Sequence, residues 1–307
     1  MKKLILAVAS IFLLGGCAAN ETKQEGKDKE QLSIVTSFYP MYDFTKNVVG
    51  DKAKVDLLIE AGVEPHDYEP SAKDMAKIQE ADVFIYNSNE METWVKDVLK
   101  GIDTKKVKVI EASKGIDFME AAESDNEHGD GHKHAIDPHV WLSPILARQE
   151  VNTIAKELQK IDKKSKDEYE KNAADYSKKL NDLNQEFVSA TENATNKKFV
   201  TQHQAFSYLA REYGLTQIAI SGLSPEQEPT PKELKVIEDV VKNEKINVIY
   251  TESSASSKVA KTISDATGAK LSVLNPLESM SDKDRDDGKD YISVMKDNLK
   301  ALQESIK

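Results

Sequence analysis

Only one cysteine occurs in the 307 residues, at position 17, and it directly follows the chain's one extended apolar stretch. An internal disulfide is therefore excluded. So are thiolate zinc sites and a cysteine nucleophile, and any borderline metal must be held by histidine and carboxylate side chains. A basic excess is also lacking. Lys and Arg total 42 against 53 Asp and Glu, a formal charge of −11, which argues against nucleic acid as a partner because phosphate binding needs a basic face. The apolar stretch, residues 4–14, has eleven residues, well short of the ~20 that a spanning helix requires. HExxH and GxSxG strings are absent, so two common hydrolase signatures are missing. What remains is 39% hydrophobic and 31% charged, the composition of a soluble body built as two medium domains or one large one.

The N-terminus carries its own signal. Lys2 and Lys3 precede the apolar stretch, as in a secretory signal, and the stretch ends Leu14-Gly15-Gly16-Cys17. This ending resembles the bacterial lipoprotein processing box, in which the chain is cut before the cysteine and the new terminus is acylated. The expected layout is a signal peptide over 1–16, then a tether from an acylated Cys17 over 17–31. That tether has no large apolar residue and reads as flexible.

Beyond residue 31 strand-like and helix-like segments alternate. β-branched runs at 32–36, 55–59, 81–86 and 107–110 are separated by helical patterns, and the second half repeats the rhythm at 198–201, 217–220, 246–250 and 270–274. Such alternation predicts mainly parallel sheets covered by helices. Between the halves, 144–192 is polar with helical periodicity. Tyr169, Ala173, Tyr176, Leu180, Leu183 and Phe187 recur at spacings of four and three, one apolar stripe on a helix from 165 to 191. At 1.5 Å per residue it would run roughly 40 Å, enough to bridge two lobes. The boundaries expected are 32–143 for an N-terminal lobe, 144–192 for the connecting helical segment and 193–307 for a C-terminal lobe.

The two halves also match in detail. Gly62-Val63-Glu64-Pro65 followed by Glu69-Pro70-Ser71 corresponds to Gly222-Leu223-Ser224-Pro225 followed by Glu228-Pro229-Thr230. Each tract ends in a capping box, Ser71 with Asp74 and Thr230 with Glu233, and Pro231 suits the first helical position. In each half a strand ending in Ile-Tyr follows. Duplication explains the whole string of matches, and two similar lobes joined by one helix leave a cleft between them.

Three of the six histidines stand at strand-to-helix junctions. His66 lies between the second strand and a capped helix, His139 just before the helical run at 144, and His203 directly after the strand 198–201, opening a helical run over 204–213. Such junctions form the ligand-binding edge of an α/β sheet. The sequence spacings alone do not make a local zinc clip. The strings GVEPHDYEPS, DPHVWLSP and HQAFSYLAREYGL, in that order, are similar to those of the metal-binding receptors of bacterial ABC importers for zinc and manganese. More narrowly, they resemble the zinc receptors of Gram-positive bacteria. This resemblance runs from about residue 32 to the C-terminus. It implies two similar (β/α) lobes joined by a rigid backbone helix, with one metal in the interlobe cleft. By motif, His66 and His139 would be N-lobe ligands, His203 a C-lobe ligand, and Glu278 the fourth ligand, a place that some relatives give to Asp or to water. It further implies a membrane permease and a cytoplasmic ATPase as partners, a lipid anchor on the extracytoplasmic face, a monomer, and no enzymatic role.

Three imidazoles and one carboxylate suit tetrahedral Zn²⁺, the expected cargo, whereas Mn²⁺ prefers more oxygen. Cu²⁺ and Ni²⁺ bind imidazole as well, so the choice of zinc draws partly on the resemblance. Manganese, another divalent metal, and a metal-dependent surface adhesin are the alternative roles. Asp67 and Glu64, beside His66, are candidate partners of that imidazole or plain surface charges. The remaining histidines, His128, His132 and His134, lie in a polar loop at 125–134. Such a loop would collect zinc weakly for the main site or sense its excess; the competing reading is a surface insertion with incidental histidines.

Overall fold

A computed structural model describes residues 31–121, 135–252 and 256–306. The expected signal peptide over 1–16, Cys17 and the rest of the expected 17–31 tether up to residue 30, and His128, His132 and His134 lie outside these described residues. The first sheet is built from β1 (Leu32–Thr36), β2 (Ala53–Leu57), β3 (Val83–Tyr86) and β4 (Lys108–Glu111), all parallel, in the order β2-β1-β3-β4. Helices α1 (Tyr39–Val49), α2 (Ala72–Glu80) and α3 (Val95–Gly101) make the crossovers. A short antiparallel ribbon, β5 (Met119–Glu120) with β6 (Ile136–Asp137), completes this lobe.

The polar stretch between the lobes folds as two helices, α4 (Pro144–Ile161) and α5 (Lys166–Thr191). Asp162 makes the break, since its carboxylate accepts from the backbone N–H of Lys164 and Ser165 and from the Tyr169 hydroxyl. A carboxylate that takes the amides two and three residues further on closes a tight turn, here between the end of α4 and the Ser165 cap position of α5. All six residues of the expected stripe on α5 are buried.

The second lobe has β7 (Lys198–Thr201), α6 (Ser207–Glu212), β8 (Thr216–Ala219), α7 (Pro231–Asn243), β9 (Val248–Thr251), α8 (Lys258–Thr267), β10 (Lys270–Val273), α9 (Asp282–Asp286) and α10 (Tyr291–Leu302). Its four parallel strands run β10-β9-β7-β8. Counted from each lobe's own first strand, the two sheets have one order, 2-1-3-4, read from opposite edges. Both expected capping boxes form: Ser71 and Thr230 accept from the amides of Asp74 and Glu233, whose carboxylates take the cap amides in return.

One expected element is shorter than the pattern suggested. The helix after His203 starts only at Ser207, because the His203 carbonyl is taken by Thr201 Oγ1, Gln217 Nε2 and the Ala205 amide. A carbonyl so occupied cannot open a helical ladder. The main apolar core is continuous through Phe44 and Phe84 of the first lobe, Leu158, Tyr176 and Phe187 of α4 and α5, and Leu209, Tyr250 and Met295 of the second. A separate smaller cluster, including Val200, Ile237 and Ile263, fills the far side of the second sheet.

Candidate metal centre

Four side chains from four separate segments meet where the lobes touch. His66 comes from the loop after β2, His139 from the turn after β6, His203 from the turn after β7, and Glu278 from the loop after β10. One ligand atom from each lies within 4.8 Å of all the others. Glu278 Oε1 stands 3.4 Å from His66 Nε2, 3.2 Å from His139 Nε2 and 3.1 Å from His203 Nε2, and the His66 and His139 Nε2 atoms are 3.2 Å apart. A tetrahedron with zinc–ligand bonds near 2.05 Å has edges of about 3.3 Å, so these separations admit a zinc ion among the four atoms. Moreover, Glu278 Oε2 is buried without a hydrogen-bond partner, an expensive arrangement for a carboxylate that has no cation to bind.

Local structure aims each group. His139 begins a single 3-10 turn over Val140–Leu142, and its Nδ1 is 2.8 Å from Asp137 Oδ1, which also accepts the His139 amide. His203 Nδ1 is 2.5 Å from Glu252 Oε1, at the end of β9. With Nδ1–H donated to a carboxylate, the tautomer is set and the Nε2 lone pair faces the centre. Glu278 follows Leu277, a buried residue in the left-handed region at φ 60°. Such a conformation costs a branched side chain roughly 1–2 kcal/mol. It persists here because Asn275 Oδ1 accepts the Leu277 amide, while Asn298 bonds both the amide and the carbonyl of Asn275.

Burial is uneven. His139 and His203 are fully enclosed and Glu278 is 2% exposed, whereas the His66 side chain keeps 10%. His66 also borders a cavity of about 600 Å³ lined by Asp67, Tyr68, Glu69, Trp94 and Asp97. Solvent therefore approaches the centre from the His66 side. Of the two acids flanking His66, Glu64 accepts its backbone amide, and Asp67 lines the cavity. The Asp137 and Glu252 partners were not singled out in the sequence. Asp137 stood inside the DPHVWLSP string, and an acid closing the β-branched run 246–250 was the available signal for Glu252.

Electrostatics separates the four side chains. Burial pulls His66 below the usual imidazole range. For His203, burial acts in the same direction but is outweighed by the charges of Glu278 and Glu252, and the pKa is pushed up to about 10. His139 is likewise raised, against burial, by Asp137 and Glu278. Glu278 lies well below the carboxylate range, because the three imidazoles overcome its burial. Glu64 is pushed up to about 7 by burial and then by Glu278.

Comparison with known proteins gives a consistent picture. The model of a family described as zinc-uptake complex component A, periplasmic (ZnuA), matches residues 34–305. The chain is 48% identical over 308 residues to the high-affinity zinc uptake system protein ZnuA of Bacillus subtilis, covering 99% of this chain and 97% of that protein. It is 49% identical over 310 residues to the zinc-binding lipoprotein AdcA of Streptococcus pneumoniae, covering 99% of this chain but 61% of that longer protein. The crystal structure of the Zn(II)-bound ZnuA-like domain of AdcA superposes with a TM-score of 0.77 at 48% identity, over 90% of this chain and 98% of that one.

Proposed function

We propose, from the premise that this chain belongs to the ZnuA family of zinc-uptake components, that it is an extracytoplasmic receptor that captures Zn²⁺ and delivers it to an ABC-type importer. The zinc is cargo, and the protein binds and releases it without transforming a substrate. His66, His139, His203 and Glu278 are the proposed ligands, and the observation that carries the reading is their buried convergence within 4.8 Å. Three neutral imidazoles and one ionised carboxylate leave a bound site with net charge near +1, closed on all four tetrahedral positions. That closure favours holding an ion over activating a water, because catalytic zinc keeps a position open.

The rest of the proposal concerns surroundings. Acylation at Cys17 would anchor the monomeric receptor to the outer face of the cell membrane, and a permease with its cytoplasmic ATPase would accept the ion. The lobes proposed are 32–143 and 193–307, with 144–192 connecting them, and the loop over 125–134 with His128, His132 and His134 would gather zinc for the main centre.

Metal content and competitive zinc titration of the full chain, beside the His203→Ala variant, test the reading. One tightly bound zinc per chain is expected, with affinity reduced about a hundredfold or more in the variant, since even the outer partners of ligating histidines contribute 10–100-fold. No tight zinc in the parent protein would overturn it, and unchanged affinity in the variant would move the site away from His203.

A further inference from the structure

The ligands belong to two lobes, so something must hold them in register when no metal is present. Three hydrogen bonds that cross from one lobe to the other end on the same five residues, 137–141, which contain His139. The Tyr208 hydroxyl, five residues after His203, donates to the Asp137 carbonyl at 2.7 Å. Trp141 Nε1 donates to the Pro276 carbonyl at 2.8 Å, two residues before Glu278. The Tyr291 hydroxyl, at the start of α10, donates to the Trp141 carbonyl at 2.5 Å.

All three aromatic side chains are fully buried. Tyr208 has a second tie, accepting the Met119 amide at 2.8 Å, and it packs with Val140 in a small apolar cluster that includes Ile116 and Leu146. Trp141 stacks edge-on against Phe38, with centroids 4.9 Å apart, and lies 5.2 Å from the His139 ring. Tyr291 meets Phe44 of α1 edge-on at 5.0 Å. By contrast, His66 is tied through its own amide to the neighbouring Glu64, besides its ring contacts with the other three side chains.

We propose that 137–141 is the keystone of the centre, and that Tyr208, Trp141 and Tyr291 are positioning residues that hold His139, His203 and Glu278 in zinc-binding geometry across the lobes. This rests on the zinc-receptor reading and adds to it residues that touch no metal. Trp141 grips the carbonyl immediately before left-handed Leu277, so the strained step that aims Glu278 is held from the opposite lobe. Pre-organisation of this kind raises affinity by removing the ordering cost from the binding step.

The test compares Tyr208→Phe and Tyr291→Phe with Tyr169→Phe in the full chain. Tyr169 is also buried, and its hydroxyl bonds Asp162 at the turn between α4 and α5, away from every ligand segment. Three quantities are read: the melting temperature, the zinc dissociation constant, and the visible spectrum of Co²⁺ in the site, which reports ligand geometry. Lower stability alone does not change the affinity of a chain that remains folded. Tyr208→Phe and Tyr291→Phe are each expected to weaken zinc binding about three- to tenfold, the worth of one lost hydrogen bond, and to alter the Co²⁺ spectrum, while Tyr169→Phe moves neither. Parent-like affinity and spectrum in the two variants overturn the keystone while the parent's tight zinc leaves the receptor reading standing. Equal weakening in Tyr169→Phe also overturns it. A parent chain that binds no zinc removes both. Should Tyr208→Phe fail to fold, Tyr291→Phe carries the decision alone.

Discussion

The two lobes share a strand order and use it differently. In each, the first strand ends on threonine, Thr36 in β1 and Thr201 in β7, and a buried carboxylate beyond the third strand reaches the residues just past that end. In the first lobe this carboxylate is Glu92, which accepts from the Ser37 hydroxyl at 2.5 Å and from the amides of Asn87 and Ser88. In the second it is Glu252, which faces His203 Nδ1 at the same 2.5 Å. The residue two places past the strand is Phe38 in one lobe and His203 in the other. Phe38 packs against Trp141, while His203 faces Glu278. A shared scaffold therefore supplies the same buried acid twice. One side chain at the strand tip decides whether that acid knits a loop together or orients a ligand.

Acid has the strongest effect, and it separates His66 from the two histidines that face buried carboxylates. The metal-free His203 holds its proton up to a pKa of about 10, whereas His66 is depressed. Zinc must expel the His203 proton, so affinity falls as pH falls below that value, by roughly tenfold per unit for one displaced proton. Competitive titration at pH 8, 7 and 6 should show about a hundredfold loss in all, and a flat profile would remove His203 from the centre. In the metal-free protein the raised pKa works the other way, stabilising the fold below the ordinary imidazole range and losing that effect as pH rises through 10.

Next in size is the pair of buried acids. Glu252→Gln keeps an acceptor for Nδ1 but lowers the basicity of His203, and a loss of about tenfold in zinc affinity is expected. Glu92→Gln should lower the melting temperature and leave the affinity alone. If both variants bind zinc as the parent does, the comparison fails at its centre.

The smallest effect belongs to Glu150, on α4 beneath the first lobe. It is buried, accepts from Asn87 Nδ2 at 2.7 Å, and leaves its Oε2 and the Asn87 Oδ1 without partners. Burial and then the Glu92 charge push its pKa well up. An acid whose folded pKa is raised costs stability as pH climbs above its unfolded value. Glu150→Gln, which brings an N–H where Asn87 Oδ1 has none, should therefore stabilise the fold by about 1 kcal/mol at pH 8 and by less at pH 5. Thermal melts at the two pH values measure it.

Much of this architecture was legible because it is local. The capping boxes at Ser71 and Thr230, the β-branched runs and the stripe on α5 each depend on residues a few places apart. The four residues that converge at the centre were legible through three short motifs and one carboxylate, not through spacing. What stayed hidden is non-local. Glu252 is 49 residues from His203, and Trp141 is 135 residues from Pro276, so no window of sequence holds both partners. The start of α5 at Lys166 was legible to within one residue of the expected 165, whereas the Asp162 carboxylate that closes the turn before it, by accepting the Lys164 and Ser165 amides, was not.

That the four proposed ligands come from four segments bears on when the site exists at all. His66 and Glu278 are separated by 212 residues, and their meeting depends on both sheets and the turns that carry them. Closing so long a loop is entropically costly and comes late. A chain that is still extended offers only scattered histidines. Zinc capture becomes a property of the finished molecule, and the ion adds its stabilisation only to a chain that has already folded.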